Sequence, residues 1–183
     1  MSTRSSISIL KTDGTIESVF CHWDGYIECV GVKLVINYSN SEKVKELISF
    51  GSIDSLQKEI HPKGVHTGDN KEPNVTVFYG REYGEINSVP HKFKDINEFI
   101  KSNEFQGFDY VYQEKNKKWY LFHSGKLTFS PLIGLIKKEK NFSGELKLEF
   151  DNFLKETKIK NECNLLQKHL PIASENVKVK IKI

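Results

Sequence analysis

Two alternating runs, Ser6-Ile7-Ser8-Ile9-Leu10 and Ile16-Glu17-Ser18-Val19-Phe20, flank the segment Lys11-Thr12-Asp13-Gly14-Thr15. The Asp-Gly pair supplies the positive backbone torsion that a tight reversal needs, and the alternation gives each run one face to bury. A β-hairpin over residues 6–20 is therefore the first fixed point, and the chain is committed to a sheet from its start.

Beyond Cys21-His22-Trp23-Asp24-Gly25 the period changes. Tyr26, Val30, Leu34 and Tyr38 recur every four residues, the spacing of an amphipathic helix, with Asp24 as the expected N-cap. Residues 41–50 give a second helix that Gly51 ends as a C′ glycine. Residues 61–74, rich in Pro, Gly, Asn and Asp, form a long loop. Val75 to Tyr79 is β-branched and aromatic and reads as a strand ended by Gly80, and residues 95–101 are a short helix. Residues 108–113 and 118–123 bracket a second hairpin turn. In the last third, Leu146, Phe150, Phe153 and Leu154 share one stripe of a helix over 142–158 with Ser143 as candidate N-cap. Val177 to Ile183 alternates aliphatic with lysine, the pattern of a charged edge strand.

The expected fold class is α+β: a small, mostly antiparallel sheet of about five strands with two or three packed helices, plus a C-terminal helix and edge strand. The division expected is a core domain over 1–128 and an extension over 129–183, as part of the same domain or appended to it, with the boundary near Ser130-Pro131.

The 183 residues, 38% hydrophobic and 28% charged, contain no apolar run near the ~20 residues a membrane helix needs, and the N-terminus lacks the apolar stretch of a secretory signal. A cytoplasmic location follows as the expectation. Basic and acidic side chains number 15 and 17 over residues 1–125 but 12 and 7 over 126–183, so the positive excess lies in the tail. Only Arg4 and Arg81 are arginines, and a Lys-rich, Arg-poor chain lacks the planar forks that grip phosphate backbones. Cys21, Cys29 and Cys163 form no CxxC pair, so no disulfide framework, metal site or cofactor is expected.

Two clusters carry candidate chemistry. Cys21-His22-Trp23-Asp24-Gly25-Tyr26 lies where a strand hands over to a helix: His22 and Asp24 form a general acid/base pair in one reading, with Trp23 and Tyr26 stacking on a base or sugar. In the plainer reading Trp23 seals the core, Asp24 caps and Gly25 permits the turn. Tyr79-Gly80-Arg81-Glu82-Tyr83-Gly84-Glu85 meets neither the dinucleotide fingerprint nor the P-loop, which leaves Arg81 as an anion-binding candidate or as a salt-bridge partner of Glu82, Glu85 or Asp24.

The string Phe20-Cys21-His22-Trp23-Asp24-Gly25-Tyr26 and the later Tyr79-Gly80-Arg81 with Gly84-Glu85, together with the Asp13-Gly14 turn, Glu42-Lys43-Val44 and Gly51, resemble a widespread family of small phage and prophage proteins over residues 1–125. Ile27 stands where that pattern has proline, and Ser52 where it has an acidic residue. The resemblance implies a phage or prophage origin, expression in a bacterial cytoplasm and an accessory role. It brings no catalytic residues with it.

Three functions are expected on this basis. The first is an anti-defence inhibitor that binds a host immune effector such as a CRISPR nuclease complex, with Lys178, Lys180 and Lys182 meeting an acidic or nucleic-acid-binding surface. The second is a sponge for a nucleotide immune signal, in which Trp23, Tyr26 and Tyr83 stack on bases while Arg4 and Arg81 hold phosphates. The third is a small nucleotide- or nucleic-acid-processing enzyme using His22 and Asp24. The terminal strand also offers an edge through which a homodimer could form. All three require that the 22–26 corner and Arg81 share a surface.

Overall fold

The computed structural model describes residues 3–102, 104–139 and 142–169. The strand expected over 177–183, with Lys178, Lys180 and Lys182, lies outside the described residues.

The hairpin forms as β1 (Ser5–Leu10) and β2 (Ile16–Cys21), antiparallel in the register Ile7 to Val19 and Ile9 to Glu17. Gly14 turns it at φ +90°, and Asp13 accepts from the Thr15 N–H and hydroxyl. Alternation then sorts the side chains: Ile7 and Ile9 enter the main core, whereas Ser8 bonds Ser18 across the other face, Oγ to Oγ at 2.8 Å. The second hairpin, β6 (Asp109–Gln113) and β7 (Lys118–His123), docks against the first through a parallel β1–β6 pairing.

The sheet is mixed, mostly antiparallel and larger than the five strands expected. Its order is β4-β3-β2-β1-β6-β7-β8, with β5 also on β2, where β3 is Ile53–Ser55, β4 Val77–Phe78, β5 His91–Phe93 and β8 Thr128–Pro131. Three of the additional strands, β3, β5 and β8, are three or four residues long, too short for an alternation to stand out from its surroundings. Ser130-Pro131 lies at the junction of β8 with α5 (Leu132–Ile136).

Helices α1 (Val32–Asn37), α2 (Ser41–Ser49), α5 and α6 (Glu145–His169) are built on one apolar face. Ile7, Tyr110, Tyr112 and Trp119 of the sheet share a core there with Leu34, Leu47, Leu132 and Phe150. Each such side chain contributes roughly 1.5–3 kcal/mol when fully buried. The polar tips of the large aromatics select the loops that lie on them: Tyr110 Oη donates to Gly25 O at 2.8 Å, Tyr38 Oη to Gln57 O at 2.7 Å, and Trp119 Nε1 to Tyr38 O at 2.7 Å. On the opposite face α4 (Ile96–Ser102) covers a second cluster of Ile16, Phe93, Phe99, Val111 and Phe122.

Several boundaries differ from the sequence expectation. A wide π-helical turn over Ile27–Gly31 precedes α1, and Tyr26, not Asp24, stands before it without a side-chain cap. Asp24 instead sits at φ +56°, its carbonyl accepting from Val30 N–H, because the chain must reverse between β2 and the turn. Gly80 does not end a strand: the chain passes from β4 directly into α3 (Tyr79–Tyr83), with Gly80 inside it. Helix α6 begins after Gly144 (φ +79°), so Ser143 is one residue outside the cap position. Gly51 ends α2 as expected, at φ +82°. Among the described residues no helix is long and apolar enough to cross a membrane.

Asp109 is 1% exposed and accepts from Ser6 Oγ at 2.7 Å and from the Gln106 N–H at 3.0 Å. Burial outweighs these bonds and raises its carboxyl above the usual 3.8. Such a group favours folding most below the unfolded value, and that contribution is lost as pH rises through the higher native value. Asp109→Asn therefore flattens the fall in thermal stability as pH rises above the usual carboxyl value of 3.8, because the amide keeps an acceptor and carries no charge. Melting curves across that range check this, and an unchanged pH slope contradicts it.

Candidate functional site

The corner after β2 is held by its backbone before any side chain acts. His22 N–H bonds Ile53 O and Trp23 N–H bonds Asp54 O, which carry β2 past its end alongside β3. Gly25 N–H bonds Thr3 O, and a Cβ on Gly25 would come within 2.7 Å of the Arg4 carbonyl carbon and oxygen. Glycine is thus required by this crossing of two backbones, which also sets the exposed Arg4 beside the corner.

Three segments meet at its outer side. Trp23 Nε1 donates to Asp54 Oδ1 at 3.1 Å, and Lys71 Nζ reaches Asp54 Oδ2 at 3.2 Å from the long loop. Asp54 is 7% exposed, so one buried carboxylate orients both an indole and an ammonium. Contact with Tyr83, and with Asp54, holds the Lys71 ammonium above the ordinary lysine range. Tyr79 Oη and His22 Nδ1 are 2.9 Å apart, and the ring of Tyr79 lies 5.8 Å from that of Tyr83. Burial foremost, then Asp54, pushes the Tyr79 phenol up. The loop closes over Tyr83: a Cβ on Gly68 would lie 2.3 Å from that ring, so a larger residue there would displace it.

Two clusters singled out in the sequence therefore do come together, through His22, Trp23, Tyr79 and Tyr83. Trp23 does not seal the core; it is 45% exposed, and Tyr83 and Tyr26 are 46% and 38% exposed. Trp23, held by Asp54, and Tyr83, held against Tyr79 and Lys71, present large rings to solvent.

Arg81 does not take part as an anion clamp. Its Nη1 donates to Ile60 O and its Nη2 to Thr76 O, both at 2.7 Å, its Nε donates to Glu82, and its plane lies over the rings of Phe50 and Phe78. Glu82, with a 1% exposed side chain, also accepts from the Phe78 N–H and lies 3.6 Å from His66 Nε2. The salt-bridge alternative for Arg81 is the one realised, and its role is to tie the loop to α3.

The His22 and Asp24 pair is not assembled either. His22 contacts Phe20, Trp23 and Tyr79, whereas the Asp24 carboxylate approaches Tyr26 Oη at 3.5 Å. At φ +56° the backbone of Asp24 leaves the strand, which separates the two side chains. Cys21 and Cys29 are buried free thiols, and burial pushes the Cys21 thiol up to about 12, far from a nucleophile's range. Among the described residues no group of three or more metal-ligating side chains occurs.

Sequence reasoning missed Asp54 and Lys71 in the corner, and it placed Tyr79 in the second cluster without giving it a role. Asp54 follows the first residue of a three-residue strand and Lys71 lies in an irregular loop, so no periodicity or motif pointed to either. Comparison with known protein families, with curated proteins and with solved structures finds no match.

The geometry separates two kinds of residue in this region. Arg81→Ala leaves two carbonyls unpartnered, strips a buried carboxylate of its cation and lowers stability by about 3 kcal/mol. Trp23→Ala removes an exposed ring and costs about 1 kcal/mol or less. Denaturant melts of the two variants measure the difference, and equal losses would contradict the division.

Proposed function

We propose that the protein works by binding a partner protein through the aromatic corner of Trp23, Tyr26 and Tyr83, and that the partner is a host immune effector such as a CRISPR nuclease complex. One observation carries the binding part: Trp23 and Tyr83 are exposed yet held in place, Trp23 by Asp54 and Tyr83 by Lys71 and Tyr79. Preorganised aromatics lose little freedom on association, and Trp and Tyr dominate the energetics of protein interfaces. Fixing the indole through its N–H leaves its apolar face for the partner. Arg4 and Lys71 add positive charge at the rim, which suits an acidic partner surface. The choice of partner class follows from the phage-like resemblance of residues 1–125.

The other readings receive less from the site. A nucleotide sponge loses Arg81, whose three nitrogens all bond within the protein. An acid/base enzyme loses the His22–Asp24 contact.

In a DNA-cleavage assay with a purified CRISPR nuclease complex, the wild-type protein is expected to suppress cleavage. Trp23→Ala with Tyr83→Ala should weaken suppression by about a hundredfold in concentration, since each interface anchor contributes roughly 1–2 kcal/mol. Cleavage unaffected by the wild-type protein across a panel of such complexes contradicts the assignment of partner. Suppression unaltered in the double variant contradicts the assignment of surface.

A further inference from the structure

Strand β2 changes partner along its outer edge. Ile16, Glu17 and Ser18 pair with β5 and Cys21 pairs with β3, and between them the main-chain N–H of Phe20 has no strand partner on that edge. A cavity of about 270 Å³ opens in this gap. The Ser6 N–H bonds Phe108 O on the far side of β1, and the His22 N–H bonds Ile53 O. Alternation along the two strands therefore turns the main-chain N–H of Phe20 away from β1, toward the gap.

The side chains around the cavity form a set of complementary hydrogen-bonding groups. Ser18 Oγ already accepts from Ser8, which leaves its own proton to donate. Ser6 Oγ already donates to buried Asp109, which leaves its lone pairs to accept. The Ser52 hydroxyl and the Gln106 amide, both lining the cavity, take no hydrogen-bond partner among the described residues. At the mouth His91 Nδ1 lies 2.6 Å from Glu104 Oε2, and Phe20 contributes an aromatic ring to the wall. Among the described residues no lysine or arginine lines the space.

We propose that this gap is a binding site for a neutral, hydroxyl-bearing ring of monosaccharide or nucleoside size. Three features select that chemistry. The wall offers both donors and acceptors, which matches hydroxyl groups that are both. An apolar ring face fits Phe20. A phosphate or carboxylate would meet Glu104 with no lysine or arginine among the described lining residues to balance it. The volume lies just below the roughly 300–1,000 Å³ of small-molecule pockets, which sets the size of the ligand. The site is separate from the aromatic corner and does not depend on how that corner is used.

The test is an amide chemical-shift titration of the full-length protein with D-ribose, with methyl glucoside and with adenosine, each alone. Saturable shifts at Phe20, Ser18, Ser52 and Gln106 are expected with at least one of them. Response to the free sugars assigns the hydroxylated ring itself, and response to adenosine alone assigns the nucleoside. Gln106→Ala, at an exposed position that leaves the fold intact, and Ser52→Val should each weaken binding about tenfold, the loss of one hydrogen bond. The proposal is overturned if none of the three ligands produces saturable shifts at these amides, or if Gln106→Ala with a native amide spectrum binds as tightly as wild type.

Discussion

The outer edge of β2 cannot keep one partner over its whole length, and the functional surface descends from that constraint. Near its start the strand is held by β5, near its end by β3, and the two neighbours approach from different parts of the chain. Because β3 pairs in parallel at Cys21, the backbone of His22 and Trp23 is carried on beside Ile53 and Asp54. That continuation brings the buried carboxylate of Asp54 under the indole. Because β5 stops at Ser18, the sheet is left open just before the same corner. Pairing and its interruption thus generate two neighbouring features, linked through Phe20, whose ring contacts His22 on one side and lines the gap on the other.

Buried charge is used sparingly and always with partners. Asp54 joins Trp23 to Lys71, Glu82 joins Arg81 to the Phe78 backbone, and Asp109 joins Ser6 to Gln106. Asp54 and Asp109 link segments far apart in sequence, and all three links would be costly to leave half-made. Irregular chain is fixed in this way without a regular element of its own. The loop over 61–74 is anchored by Lys71 and by the contact of Gly68 with Tyr83, so its composition of turn formers coexists with a defined position.

Much of the fold could be read directly from the residues. Asp13-Gly14 between alternating runs fixed the first hairpin, the aromatic runs at 108–113 and 118–123 fixed the second, and Gly51 marked the end of α2. What could not be read was the set of short strands whose existence depends on partners. Ile53–Ser55 and His91–Phe93 are strands because β2 offers them an edge, and local sequence carries no trace of that. The same limit applied to the corner. His22, Trp23, Tyr26 and Tyr83 stood out as unusual residues, but the choice between His22–Asp24 and His22–Tyr79 was made by a backbone torsion at Asp24. Arg81 was legible as an important cation, yet its carbonyl partners at Ile60 and Thr76 are tertiary and invisible to motif reasoning.

Native-state hydrogen exchange along residues 17–22 measures the split edge of β2 most directly. Glu17, Val19 and Cys21 face β1, Ser18 faces β5 and His22 faces β3, so their amides should be strongly protected. Phe20 alone should exchange far faster than both of its neighbours. A Phe20 amide as slow as those of Val19 and Cys21 would mean that the edge is continuously paired, and would contradict the account of the gap and of the corner built beside it.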